Sequence, residues 1–160
     1  MTKIKICGLR REQDIRYANE LMPDYIGFVF LKGKRRYVTF EEAAHLRSLL
    51  DPAIPAVGVF VNEPAENVIR LLQSGTIQIA QLHGQEDEAY IEELRRAGDH
   101  CIIRAFAVRS SEDIHRAFAF PADYPLLDNG KGTGETFDWS LFEKQEKPFF
   151  LAGGLSPENV

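Results

Sequence analysis

The sequence predicts an α/β fold in which short parallel strands alternate with helices, as a closed barrel or as an open doubly wound sheet. Three observations carry this. Seven apolar, β-rich runs recur along the 160 residues. Their centres lie roughly two dozen residues apart, with one longer gap before the third, which fits one strand, one helix and two loops per unit. Segments with helical periodicity fill the intervals. Regular alternation of this kind makes a parallel sheet with helical crossovers. Alternation alone leaves both architectures open; the near-constant unit length favours the barrel.

The expected strands are 4–7, 25–30, 56–61, 77–82, 101–107, 124–128 and 149–152. Ile15, Ala18 and Met22 fall on one face of the first helix. Thr39 with Glu42 reads as a capping box opening the second, which runs to Leu50. Pro64 lies near the start of the third, where Val68, Leu71 and Leu72 form the stripe. Gly75 and Gly98 follow the third and fourth helices, as left-handed C-terminal caps do. Ser110 or Ser111 opens the fifth, which carries Ile114 and Phe118. A short sixth is expected around Asp138 to Glu143. At the end, Ser156-Pro157-Glu158 is a helix start signal without a helix body. The reading is one incomplete barrel domain over residues 1–160, with about seven strands and no eighth; a frayed polar tail is the plainer account.

Bulk properties narrow the function. The chain is 44% hydrophobic and 27% charged, with net charge −5. Acids and bases are mixed, which argues against the basic stripe of a nucleic-acid partner. No apolar run reaches the length of a membrane span, and the N-terminus lacks the apolar stretch of a signal peptide. Cys7 and Cys101 show no metal-ligand spacing, so a reduced cytoplasmic protein is the simpler expectation. Lys32, Lys34, Arg35 and Arg36 form a short basic cluster, suited to a solvated loop or to a small anionic ligand.

In parallel α/β folds, ligands bind at the C-terminal ends of strands. Cys7 closes the first strand before Gly8. It is either a small buried hydrophobe or a thiolate base or nucleophile. Cys101 opens its strand at the opposite end. Asp128 ends the sixth strand before Asn129-Gly130-Lys131-Gly132-Thr133-Gly134, as a turn aspartate or as an acid. That loop is neither a Walker A sequence nor G-x-G-x-x-G, since Glu135 stands where the third glycine belongs. A covering loop is the better reading. His83 follows the fourth strand; His45, His100 and His115 read as surface residues. Gly153 and Gly154 follow the seventh strand, as a simple turn or as backbone N–H groups for a phosphate.

Six segments stand together in order: 5–9 (KICGL), 27–30 with 36–38 (GFVF, RYV), 57–62 (VGVFVN), 81–84 (QLHG), 132–134 with 137–139 (GTG, FDW) and 151–155 (LAGGL). Across its whole length the chain resembles the phosphoribosylanthranilate isomerase family of tryptophan synthesis. The resemblance implies a (β/α)8 TIM barrel, here without strand eight. It implies Cys7 as general base and Asp128 as general acid. Arg36 and His83 would bind substrate, and Gly153 and Gly154 would hold part of its phosphate. The substrate is a phosphorylated sugar–anthranilate, and the reaction needs neither redox cofactor nor metal. Lys34-Arg35 depart from the family's more usual serine and proline. The family's eighth strand and its Ser-Ser-Gly-like phosphate contact have no counterpart here.

Two other readings compete. The chain could be an inactive or complementation-dependent fragment that self-associates through open edge strands. It could instead be another phosphate-binding barrel enzyme. An aldolase, however, wants a lysine at a strand end, and Lys5 lies within its strand.

Overall fold

The computed structural model describes residues 2–128, 147–156 and 158. Two compact units, Met1–Cys101 and Ile102–Val160, make up the chain. The first carries β1 (Lys5–Cys7), α1 (Glu12–Leu21), β2 (Tyr25–Val29), α2 (Phe40–Leu49), β3 (Ala56–Phe60), α3 (Ala65–Gln73), β4 (Ile79–Leu82) and α4 (Glu88–Arg96). Strand β5 (Cys101–Ala107) opens at the boundary; α5 (Ser111–Ala119), β6 (Tyr124–Asp128) and β7 (Phe150–Leu151) follow in the second.

Sequence signals account for most of these limits. Thr39 Oγ1 accepts from the Glu42 N–H at 3.1 Å, and the Glu42 carboxylate accepts from the Thr39 N–H at 2.7 Å, completing the capping box. Ser110 is the N-cap of α5, its side chain accepting from the Asp113 N–H. Gly75 ends α3 with φ 73°. Gly98 follows α4 with φ 157°, so it is nearly extended and not a left-handed cap. Met22 also departs from expectation. It is the left-handed C-cap of α1 and half exposed, so the buried face of that helix is Ile15 and Ala18. The fourth strand starts at Ile79; Ile77 is buried but lies in the preceding loop. The expected loop 129–134, the sixth helix and Pro157 lie outside the described residues.

In the first unit β1, β2, β3 and β4 pair in parallel, with Cys7 opposite Gly27, Phe28 opposite Gly58 and Val59 opposite Gln81. All five residues of β3 are buried, as a strand covered on both faces requires. Ile15, Ala43, Leu46, Val68, Leu71, Ile91 and Leu94 from the helices are buried with it. Lys5 on β1 donates to the Gln81 side chain on β4, three strands away. A flat sheet would hold those strands roughly 14 Å apart, with side chains standing off it perpendicularly. The contact therefore requires the sheet to curl, as in a barrel wall and not as in an open doubly wound sheet.

In the second unit β5 pairs with β6 and β6 with β7, again in parallel, with Ala107 opposite Asp128. Val108, Ile114, Ala117 and Leu127 form its core, with Phe106, Phe118 and Leu151 packed against it. Among the described residues no helix is long and apolar enough to cross a membrane.

Candidate active site

Strand alternation decides which side chains of β1 face inward. Lys5 and Cys7 are partly buried while Ile6 between them is exposed. Cys7 is a free thiol at the strand's C-terminal end. The N–H groups of Gly8 and Leu9 both donate to the Gly27 carbonyl, at 2.8 and 3.1 Å, which ties the turn after β1 to β2. A Cβ at Gly27 would lie 2.7 Å from Cys7 Sγ, so the thiol occupies the space that glycine leaves.

Arg36 stands in the loop after β2, anchored where Val38 N–H donates to the Val29 carbonyl at 3.0 Å. Its guanidinium Nη1 donates to the Cys7 carbonyl at 3.0 Å. The Arg36 side chain passes over Gly8, which has φ 90° and no room for a Cβ against Arg36 Cδ. Glycine there serves both the turn and the close approach. Cys7 also borders an open cavity of about 590 Å³ that runs along α1, where Ile6, Tyr17, Ala18 and Leu21 line it together with Arg10, Arg11, Asp14, Arg35 and Arg36. Its wall is mainly apolar, with four arginines and one aspartate among it.

His83 lies just past β4, exposed, its N–H donating to the Phe60 carbonyl at 2.8 Å. Its Nδ1 is 3.4 Å from Gln81 Nε2. Gln81 is buried, and its Oε1 accepts from Lys5 Nζ. Burial pushes the Lys5 ammonium below its ordinary pKa, and the charge of Cys7 opposes that shift.

Residues that spacing did not reveal shape the loops above β3 and β4. Asn62 has φ 53°, and its Oδ1 accepts from the Gln85 N–H at 2.6 Å. Buried Glu86 accepts from the N–H groups of Asn62 and Gly84 at 2.7 and 2.8 Å. The loop is thus held by one carboxylate that satisfies two backbone donors from different strand ends. Asparagine tolerates positive φ better than other side-chain-bearing residues, a faint signal within the VFVN segment. A glutamate's burial leaves no signal.

In the second unit, Asp128 ends β6, and its carbonyl accepts from the Val108 N–H at 2.8 Å. Gly153 and Gly154 follow β7 with φ 85° and 67°, conformations that favour glycine. Two successive positive-φ residues turn the chain sharply after the strand. Cys101 opens β5 at the other strand end. His45 and His115 are exposed. His100 is not: it is half-buried, and its Nε2 has no hydrogen-bond partner among the described residues. Among those residues no group of three His, Cys, Asp or Glu could hold a metal ion.

A parallel strand–helix repeat with a thiol, a carboxylate and glycine turns at its C-terminal strand ends is the pattern of a (β/α) barrel enzyme. The family model for N-(5'phosphoribosyl)anthranilate (PRA) isomerase matches residues 4–160. The N-(5'-phosphoribosyl)anthranilate isomerase of Endomicrobium trichonymphae is 45% identical over 165 residues, covering 100% of this chain and 80% of the relative. The crystal structure of the Thermus thermophilus phosphoribosyl anthranilate isomerase superposes with TM-score 0.87 at 34% identity, covering 99% of this chain and 80% of that one. A phosphoribosyl anthranilate isomerase in complex with reduced 1-(o-carboxyphenylamino)-1-deoxyribulose 5-phosphate superposes with TM-score 0.79 at 31% identity, over 99% of this chain and 79% of that one. The chain belongs to the phosphoribosylanthranilate isomerase family, and its fold is that of the family's (β/α)8 barrel, represented by seven strands among the described residues.

Proposed function

We propose that this chain catalyses the Amadori rearrangement of N-(5'-phosphoribosyl)anthranilate, an aminoaldose, to 1-(2-carboxyphenylamino)-1-deoxyribulose 5-phosphate in tryptophan synthesis. The observation that carries the reading is the free thiol of Cys7 at the end of β1, bordered by Arg36, within the family's KICGL segment. Ring opening needs an acid and proton migration needs a base. Asp128, protonated, gives its proton to the ring oxygen as the C1–O bond breaks, leaving a Schiff base. Cys7, as thiolate, takes the proton from the sugar C2, and the electron pair moves to form the enolamine. Tautomerisation then yields the ketone. Acid and base must begin in opposite protonation states for the two proton transfers to follow one another.

Arg36 binds and polarises the substrate, and His83 lines the site. The N–H groups near Gly153 and Gly154 take part of the phosphate, as backbone turns with positive φ do. Two free cysteines suit the reducing cytoplasm. The test is turnover of Cys7→Ser and Asp128→Asn, followed through the fluorescence of the anthranilate substrate. Each is expected to lose about 10²–10⁴-fold in kcat. Near-normal kcat in either would overturn that assignment.

A second reading concerns assembly. Ile4, Ile6, Tyr17 and Leu21 on β1 and α1 are exposed, Leu21 to 72%. An apolar strand edge and helix face of this kind favour pairing with a second copy of the chain. Light scattering across a concentration series is expected to show dimers, and Leu21→Glu to reduce them. A monomer at every concentration would refute it.

A further inference from the structure

We propose that Lys5, held by the side chain of Gln81, is the cation that stabilises negative charge on the Cys7 sulphur. The inference rests on Cys7 acting as a thiolate, as argued above, and adds a positioning residue to that site.

Lys5 and Cys7 are two positions apart on a three-residue strand, with the exposed Ile6 between them, so both face inward. Their Cα atoms are about 6.6 Å apart at the ordinary strand rise. A lysine could leave this face by directing its long stem towards water. Here it is held inside, because its ammonium donates to Oε1 of Gln81. Gln81 is 4% exposed and cannot follow the ammonium outward. Its amide orientation is set by chemistry. A lysine only donates, so the oxygen must face Lys5 and the NH₂ group must face His83 Nδ1. A fixed amide therefore keeps a fixed charge on the Cys7 side of the strand.

The charge has a reason to favour thiolate. Burial costs Lys5 part of its preference for the charged form, and Cys7 is the charge that offsets this. Within Met1–Cys101 the other titratable groups on the elements around Lys5 are Tyr25, its register partner on β2, and His83 beyond Gln81. Arg36 also reaches Cys7, but its guanidinium donates to the backbone carbonyl. Lys5 is thus a residue on the inner face of β1 whose cost of burial a thiolate offsets. The sequence places it mid-strand, away from the position of a Schiff-base lysine, and this role explains a lysine there.

Two measurements on this chain test the proposal. The first is the rate of Cys7 alkylation by iodoacetamide at neutral pH, resolved from Cys101 by peptide mass spectrometry. Lys5→Met is expected to slow it about ten-fold, the order expected for the loss of one partly screened charge on the same strand face. Lys5→Arg should restore most of the rate, and Gln81→Leu should give an intermediate loss. An unchanged rate in folded Lys5→Met would overturn the proposal. The second needs no change at Lys5. Nitrogen NMR of the Lys5 ammonium should show its titration moving to lower pH in Cys7→Ser, because the opposing charge is gone. An unmoved titration would equally overturn it. Neither readout depends on turnover. If alkylation slows while kcat stays normal, the Lys5–Cys7 pairing stands and Cys7 as catalytic base falls.

Discussion

Replacing Gly27 by alanine places one methyl group against the proposed base. The added Cβ would lie 2.7 Å from Cys7 Sγ, 3.2 Å from Cys7 Cα and 3.3 Å from Cys7 Cβ. Ordinary contact between such atoms is about 3.5–4.0 Å, so the overlap with sulphur is about 1 Å. Rotating the Cys7 side chain relieves only the sulphur contact. The other two atoms move only if β1 slides relative to β2, and the hydrogen bonds from Gly8 and Leu9 to the Gly27 carbonyl resist that. Overpacking of this kind costs about 1–3 kcal/mol. A displacement of about 1 Å at a reacting group costs about 10²-fold in rate. Gly27→Ala is therefore expected to lower the melting temperature and to reduce kcat/KM for N-(5'-phosphoribosyl)anthranilate by about two orders of magnitude. Gly75→Ala is the control. Nothing lies within 4 Å of its added Cβ, but its φ is 73°. It should cost about 1–2 kcal/mol of stability through backbone strain and leave turnover of the folded chain unchanged. Wild-type turnover in Gly27→Ala would refute the argument that this glycine is there to seat the thiol.

Two further perturbations address stability. Asp14 accepts from the N–H groups of Arg10 and Arg11 and from the Arg11 guanidinium, and these bonds hold its carboxyl below the usual range. Its contribution is therefore fully present above the unfolded carboxyl pKa of about 3.9 and is lost as pH falls through the lower folded value. Asp14→Ala should cost about 1 kcal/mol at neutral pH, with the gap to wild type closing in acid; a gap that persists at the lowest accessible pH would contradict this. Glu86→Gln puts an amide NH₂ where a carboxylate oxygen meets the N–H of Asn62 or Gly84. A loss of about 1–3 kcal/mol is expected from the unsatisfied donor, with faster hydrogen exchange at the Asn62 and Gly84 amides. Unchanged exchange would show that the carboxylate does not hold this loop.

What the sequence discloses follows the range of the interaction involved. The Thr39–Glu42 box and the Ser110 cap join residues three apart, so their spacing is the structure and both are found where expected. The strands are legible for the same reason, since an apolar run and the breaks around it are local. Helix ends are less so. Met22 continues the period of Ile15 and Ala18, yet it leaves the helix in a left-handed conformation, because periodicity says nothing of where a backbone stops. Gly98 occupies the place of a left-handed cap but extends instead, packed against His100, whose ring would touch any Cβ added there.

The site shows the same division. Cys7 and Asp128 are legible as strand ends because strand limits are local, but what surrounds them is not. Lys5 meets Gln81 across 76 positions of sequence, and Glu86 reaches back 24 positions to Asn62. Those meetings depend on sheet register and curl. Register can be checked once strands are aligned: Cys7 pairs with Gly27, and Val59 with Gln81. Curl then brings β1 and β4 side chains together inside the sheet. A lysine that in chain order is only a charged interruption in an apolar strand becomes, in the curled sheet, a part-buried cation with an amide to hold it, on the same face as the thiol. Its position two residues before Cys7 was always visible. The reason for a charge there depends on Gln81, and that requires the fold.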